Sequence, residues 1–139
     1  MITPETVFEL LRNSGMRVTQ ARKQLIEVLM SSTKALSIEQ LFKKLSEAGY
    51  DQVTLYRNLE ALDNLGILLR VNNEEGRELF LLNPEKDHYH VILCRECHKT
   101  EKMNSCTIHS MEEFAKDRGF QQVSHTLELY GTCEECCSD

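Results

Sequence analysis

In the first half of the chain, apolar side chains recur every three to four positions, which is the spacing of a helix that buries one face. Four such segments each follow a residue that can cap a helix N-terminus: Thr3, Thr19, Ser37 and Asp51. Gln40 comes three residues after Ser37, which predicts a capping box at the third segment. The pattern predicts four helices, over ETVFELLRNS, QARKQLIEVLM, SIEQLFKKLSEA and QVTLYRNLEALDNL.

The pattern changes after Gly66, where ILLRVNNEEGRELFLL places two apolar runs on either side of NNEEG. Two such runs around a polar turn with a glycine are typical of a β-hairpin. Helices followed by a hairpin are the element order of a winged helix-turn-helix. Asn83-Pro84 breaks the run and predicts a domain boundary. We therefore expect a winged-helix domain over residues 1–82 and a second domain over residues 83–139.

The second domain mixes two patterns. HYHVILC suits a strand, IHSMEEFAKDRGF suits a helix, and QVSHTLELYG alternates like a second strand. The second domain is therefore predicted to be a small α/β unit, and the chain as a whole to be α+β.

Charge is divided unevenly along the chain. The net charge is −6, but residues 1–70 carry 9 Lys and Arg against 8 Asp and Glu, and the other half carries 7 against 14. The first half therefore has a net charge of +1 and is free to approach phosphate, whereas the excess of acidic residues lies in the second half. No apolar run approaches the roughly 20 residues of a membrane span, and no signal peptide is evident at the N-terminus. We expect a cytoplasmic protein without a membrane partner.

All six cysteines follow residue 93. Four of them form two Cys-x-x-Cys pairs, each just after a predicted strand: Cys94, Cys97, Cys133 and Cys136. If the strands pair, four sulfurs meet in the tetrahedral arrangement that holds structural zinc. Disulfides or free thiols are the alternative; a reducing compartment disfavours the disulfides. The remaining two, Cys106 and Cys137, lie outside the pairs.

The histidines predict a second metal site. His88 and His90 lie two apart and share one face of a strand, His125 lies in the second strand, and His109 lies near the start of the helix between them. Imidazoles suit Zn²⁺, Co²⁺, Ni²⁺, Cu²⁺ or Fe²⁺ better than Mn²⁺ or Mg²⁺. Occupancy should fall below about pH 6.5, because the ligands must be deprotonated. A lone His125 could instead be a hydrogen-bonded core residue.

Four segments stand out together: GMRVTQARKQLIEVL, VTLYRNLEALDNLGIL, HYHVILCREC and VSHTLELYGTCEEC. They resemble the opening segment, the recognition helix with the wing entry, the histidine-rich strand and the closing strand of the ferric uptake regulator (Fur) family of metal-dependent transcription factors. The resemblance implies a homodimer with an N-terminal winged-helix DNA-binding domain and a C-terminal dimerisation domain. It also implies that the partner is a double-stranded, palindromic DNA operator and that binding usually represses genes. It also implies a structural zinc and a second divalent ion, Zn²⁺ or Fe²⁺.

The sequence departs from that family at its usual hinge site. There a His-x-His pair ends three residues before the first cysteine, whereas here His90 lies four residues before it. A one-residue offset moves the pair to the opposite strand face. The residues that stand at the usual sensing positions are Ala35, Leu81, Tyr89, Val91 and Lys102. We expect the hinge site to be missing.

The family's other site matches His88, His90, His109 and His125, with two imidazoles in place of carboxylates. We therefore expect a four-histidine site. Cys106 lies three residues before His109, so it could replace one of these ligands.

For DNA, the resemblance assigns Tyr56 and Arg57 to the major groove, and Arg17 to the phosphates or the minor groove. Arginine can fork onto a guanine edge, and tyrosine can pack on a thymine methyl. The alternative is an amphipathic helix whose polar face only meets water.

Three other functions compete with that of a metal-responsive regulator. Cys106 and Cys137 could make the same fold a redox or peroxide sensor. Two purely structural metals would make it a constitutive DNA binder. A zinc hydrolase needs an open coordination position and a general base, which four histidines do not leave. We therefore expect no enzymatic activity and no small-molecule substrate.

Overall fold

The computed structural model describes residues 2–103, 106 and 108–137. The chain divides into two compact units, Met1–Asp87 and His88–Asp139. Both units combine helices with a small antiparallel or mixed sheet, so the predicted α+β class is confirmed. Among the described residues, no helix is long and apolar enough to cross a membrane.

Four helices and a hairpin build the first unit. They are α1 (Pro4–Asn13), α2 (Gln20–Ser31), α3 (Ile38–Leu45), a short 3-10 turn (Ser46–Ala48), α4 (Gln52–Asn64), β1 (Leu68–Asn72) and β2 (Glu78–Leu82). All four predicted caps are confirmed, because each capping side chain accepts a hydrogen bond from a backbone N–H of the first turn. The capping box is present, with Gln40 N–H donating to Ser37 Oγ (3.2 Å) and Ser37 N–H donating to Gln40 Oε1 (2.9 Å).

The core of the first unit is one hydrophobic cluster that draws on all four helices and the hairpin. Leu25, Ile26 and Leu29 of α2 and Leu55 and Leu59 of α4 are buried, as their helical spacing predicts. A short bridge between Leu36 and Phe80 adds a third chain segment to the edge of the hairpin, and this completes the wing of a winged helix. The cluster lies entirely within residues 2–82, so this unit has a core of its own.

The first unit ends at residue 87 rather than at residue 82, where the sequence predicts the boundary. The reason is a turn built on Asn83. Its N–H donates to Ile67 O (2.7 Å), its carbonyl accepts from Lys86 N–H (3.0 Å), and its side-chain Nδ2 donates to Asp87 O (2.9 Å). These bonds attach residues 83–87 to the wing.

The second unit contains β3 (His90–Cys94), β4 (Thr100–Met103), α5 (His109–Asp117), β5 (Glu128–Gly131) and the short helix α6 (Glu134–Cys137). β3 lies in the centre of the sheet, antiparallel to β4 and parallel to β5. Both predicted strands are shorter than their patterns suggest, since residues 88 and 89 and residues 122–127 are outside the ladder. Neither β4 nor α6 is predicted from the sequence.

The second unit buries little apolar surface. Its buried hydrophobic residues are Val91, Leu93 and Cys94, among the part of the chain that the structure describes. A unit of this size needs more than three buried side chains to be stable alone. It therefore depends on other sources of stability, such as bound metal or a partner subunit.

Candidate metal centres and nucleic-acid interface

The first candidate centre lies where β3 and β5 end. The two strands are in register, with Cys94 opposite Gly131, so the turns that follow them lie side by side. They bring together the sulfurs of the four-cysteine cluster, all within 4.8 Å of one another: Cys94, Cys97, Cys133 and Cys136. The Sγ atoms of Cys97 and Cys133 are 3.7 Å apart. Zn–S bonds of about 2.3 Å in a tetrahedron require about 3.8 Å between sulfurs, so this geometry fits zinc.

The sulfurs of Cys94 and Cys136 differ in their affinity for protons. Backbone N–H groups of Cys97 and Cys133 donate to the sulfur of Cys94 and lower its pKa to about 6. Hydrogen bonding to the sulfur of Cys133, together with burial, raises the pKa of Cys136 to about 12. Four thiolates crowded together repel one another, and a dication between them offsets that repulsion. None of the six cysteines forms a disulfide, so all four sulfurs of the cluster are available as ligands.

The second candidate centre is built from three imidazoles that point at one another. The Nε2 atoms of His88 and His90 are 3.0 Å apart, those of His90 and His125 are 3.0 Å apart, and those of His88 and His125 are 3.1 Å apart. Zn–N bonds of about 2.0–2.1 Å in a tetrahedron require about 3.3 Å between nitrogens, close to these distances. Burial lowers the pKa of His90, and the neighbouring imidazoles lower it further. The neutral ring that a metal requires is therefore the favoured form.

The fourth member of this group is a cysteine. Cys106 Sγ lies 3.3 Å from His125 Nε2, and the four donor atoms lie within 4.8 Å of one another. His109, predicted as the fourth ligand, is exposed at the first position of α5 and is not in the group. The four-histidine set is therefore corrected to His88, His90, Cys106 and His125, the histidine–cysteine cluster. This is the replacement by Cys106 that the sequence left open.

Glu112, rather than His109, is the α5 residue that contacts His125. The α5 side chain that reaches His125 comes from the next turn of the helix, where Glu112 Oε1 lies 2.7 Å from His125 Nδ1. A carboxylate accepts hydrogen bonds, so this contact favours the tautomer of His125 that has its proton on Nδ1 and leaves Nε2 free for a metal. Glu112 is not predicted from the sequence, although its position three residues after His109 places it on the same helix face.

Glu112→Ala is expected to weaken zinc binding at the histidine–cysteine cluster by about 10–100-fold, the usual cost of removing a carboxylate behind a ligating histidine. Without Glu112 nothing holds the His125 ring in the tautomer and orientation that zinc needs. The measurement is competition with a chromophoric chelator while the four-cysteine cluster stays loaded. Glu113→Ala, an exposed neighbour on α5, is the control. Equal zinc affinity for the two variants would contradict the role of Glu112.

The usual hinge positions offer no second set of ligands. Ala35 and Val91 are buried, Leu81 and Tyr89 are half-buried, and Lys102 is exposed. None of these side chains is an imidazole, a carboxylate or a thiolate. Within the described ranges, the four-cysteine and histidine–cysteine clusters are the two groups of three or more possible ligands.

The residues predicted to contact DNA are all accessible. Tyr56 is 57% exposed on α4. Arg57 is exposed beside it, and Arg17 is exposed in the loop before α2. The opposite face of α4 is buried through Leu55, Leu59 and Leu62, so the helix is fixed in the unit while its outer face stays available. This is the position of the recognition helix in a helix-turn-helix domain.

A winged helix joined to a small unit with two candidate metal centres defines the class of metal-responsive transcription regulators. Comparison with known proteins specifies the family. The model of the ferric uptake regulator family matches residues 13–130, so the chain belongs to that family. Its members are transcription regulators that bind DNA as dimers, and they are not enzymes.

Individual relatives agree with this assignment. The chain is 37% identical over 128 residues to the ferric uptake regulation protein of Yersinia pestis, which covers 89% of this chain and 86% of the relative. The crystal structure of the Vibrio cholerae ferric uptake regulator matches 91% of this chain and 99% of its own, with a TM-score of 0.65 and 30% identity. The crystal structure of holo XcZur matches 98% and 97%, with a TM-score of 0.79. At 24% identity, this last similarity supports the fold alone.

Proposed function

We propose that this chain is a cytoplasmic, homodimeric repressor that binds a palindromic DNA operator when a divalent ion occupies the histidine–cysteine cluster. The observation that carries the proposal is the convergence of three Nε2 atoms within 3.1 Å of one another, beside the sulfur of Cys106. A neutral imidazole carries one N–H, so three Nε2 atoms that converge on one point cannot all be paired well by hydrogen bonds, whereas they form a good set of metal ligands.

The donor types favour zinc at both centres. Four thiolates at the four-cysteine cluster form a closed site, whose role is to hold the fold. One thiolate and three neutral imidazoles at the histidine–cysteine cluster suit Zn²⁺ better than Mn²⁺ or Mg²⁺. The thiolate of Cys106 also moves the preference from Fe²⁺, the other expected ion, toward Zn²⁺.

The position of His88 links this site to the DNA-binding unit along the chain. His88 is the first residue of the second unit, and Asp87 before it accepts a hydrogen bond from Asn83 Nδ2. A bound ion would join the segment at His88 and His90 to the segments that carry Cys106 and His125. It would thereby fix the chain directly after the first unit, which supports a regulatory role for metal occupancy.

Exposed apolar side chains support the homodimer. In the second unit, Ile92 and Leu129 are opposite each other in neighbouring strands, and Met111, Phe114 and Phe120 lie on or just after α5; all five are exposed. Five exposed large apolar residues on so small a unit favour a surface that another protein covers. A two-fold dimer presents two copies of α4, so its operator has two related half-sites.

The experiment is a zinc titration of DNA binding, with a duplex selected by the protein from random-sequence DNA and the four-cysteine cluster kept loaded. We expect zinc to strengthen binding about 5–150-fold, the usual range of coupling between two sites. Arg57→Ala should weaken binding to that duplex about tenfold or more, because a forked contact to guanine discriminates by about 1–3 kcal/mol.

The control for the DNA experiment is Asn64→Ala, an exposed residue near the end of the same helix. Affinity that does not change when the histidine–cysteine cluster is stripped of metal would favour a constitutive DNA binder instead. Unchanged binding by Arg57→Ala would show that α4 does not read the DNA.

A redox-responsive regulator is the second candidate, and the position of Cys106 is the observation that favours it. Peroxide oxidises a thiolate to sulfenic acid and is itself reduced to water. Oxidation of Cys106 would remove one ligand from the histidine–cysteine cluster. Release of zinc and loss of DNA affinity in the same peroxide treatment would support this candidate.

A further inference from the structure

A polar network that is buried at Asn58 and Tyr50 and reaches the surface at Arg17 connects α4 to the loop before α2. Arg22 Nε donates to Asn58 Oδ1 (3.0 Å), and Asn58 Nδ2 donates to Tyr50 Oη (2.8 Å). Arg22 Nη1 also donates to the backbone carbonyl of Arg17 (2.7 Å). Asn58 is 6% exposed and Tyr50 is 5% exposed, so the amide of Asn58 is satisfied within the protein on both sides.

Asn58 is an unusual residue for its position. It lies on the face of α4 that otherwise buries Leu55, Leu59 and Leu62, where another apolar side chain would pack without any polar partner. Buried polar groups gain little net stability over well-packed apolar ones, but they define one arrangement of the groups that they join. The network therefore has a geometric role.

The network joins the two chain segments that carry the candidate DNA contacts, which are α4 and the loop before α2. Asn58 directly follows Tyr56 and Arg57 along α4. The guanidinium of Arg22 is a rigid planar fork, so its bonds to Asn58 and to the Arg17 carbonyl set the distance between α4 and the loop. Tyr50 fixes the other side of the Asn58 amide.

We propose that Arg22 and Asn58 are positioning residues that hold Arg17 in fixed register with Tyr56 and Arg57, so that two separate elements contact DNA as one surface. The inference rests on the proposed function, because it requires these residues to contact DNA. It assigns a role to two side chains that need not touch the DNA themselves.

The test is a double-mutant cycle on the full-length, zinc-loaded protein, with the duplex that this protein selects from random-sequence DNA as the probe. Arg17→Ala is measured alone, with Asn58→Leu and with Arg22→Lys, which keeps the charge but not the fork. We expect Arg17→Ala to weaken binding about tenfold in the natural sequence and less than about twofold in either network variant, since the residues are coupled.

Ser37→Ala is the matched control for stability. Ser37 is buried in the capping box of α3, so its loss destabilises the same unit without touching the network. Thermal unfolding of each variant would show comparable losses, but Arg17→Ala should still cost about tenfold in the Ser37→Ala background. If the network only stabilised the unit, the cost of Arg17→Ala would fall in the Ser37→Ala background as it does in the network variants, and this result would also contradict the inference.

Two outcomes would overturn the inference. Arg17→Ala could cost the same factor in the network variants as in the natural sequence, or it could cost nothing in the natural sequence. If no duplex is enriched by the protein at all, the proposed function itself fails and the inference fails with it.

Discussion

His90→Ala is expected to abolish the zinc-dependent part of DNA binding, so that the about 5–150-fold gain expected from zinc falls to none. His90 is the most buried ligand of the histidine–cysteine cluster, at 5% exposure, and its Nε2 lies 3.0 Å from those of both His88 and His125. Three remaining ligands leave a coordination position open to water, and the ion then binds more weakly and no longer joins the three segments. The measurement is operator affinity with and without zinc, at constant occupancy of the four-cysteine cluster.

Two further variants identify the fourth ligand in the same assay. Cys106→Ser replaces a thiolate by a hydroxyl, a much poorer zinc ligand, so it should behave like His90→Ala. His109→Ala removes an exposed imidazole from the start of α5 and should leave the zinc response unchanged. The reverse result would restore the four-histidine site that the sequence predicted.

The sequence was sufficient to predict the four helices and the hairpin of the first unit. Helix starts depend on local chemistry, and the hydroxyl or carboxylate at Thr3, Thr19, Ser37 and Asp51 is enough to locate each of them. The leucine spacing of α4 likewise predicts its buried face. Asn58 breaks that spacing as a polar residue on an apolar face, and this signal could have revealed the network with Arg22.

The second unit was predicted less well because its structure depends on long-range contacts. Spacing correctly grouped His88 with His90 and paired the two Cys-x-x-Cys turns, since residues two apart share a strand face and each turn follows a strand. Spacing cannot tell which turn of α5 faces His125, and that choice decides between His109 and Glu112. It also gives no sign that the ladder begins at His90, because pairing with β4 and β5 determines where a strand starts.

Because the second unit has few buried apolar residues, loss of its structural zinc should also have a large effect. Cys97→Ser is expected to unfold the second unit and to dissociate the dimer, while the first unit stays folded on its own hydrophobic cluster. Bound structural zinc contributes about 10–16 kcal/mol of apparent binding free energy, which is as large as the whole stability of a typical domain, about 5–15 kcal/mol. With Val91, Leu93 and Cys94 as the buried hydrophobic residues among those described, the core of this unit is too small to replace it.

The measurements for Cys97→Ser are zinc stoichiometry, molecular mass in solution and amide hydrogen exchange, which separates the two units. Exchange should become fast throughout β3 and β5 and remain slow in α2 and α4. Cys137→Ser is the matched control, because Cys137 is exposed, directly follows Cys136 of the other turn, and lies outside the four-cysteine cluster. A dimeric Cys97→Ser variant with slow exchange in β3 would mean that the packing of the second unit holds it together without zinc, and the four-cysteine cluster would lose its structural role.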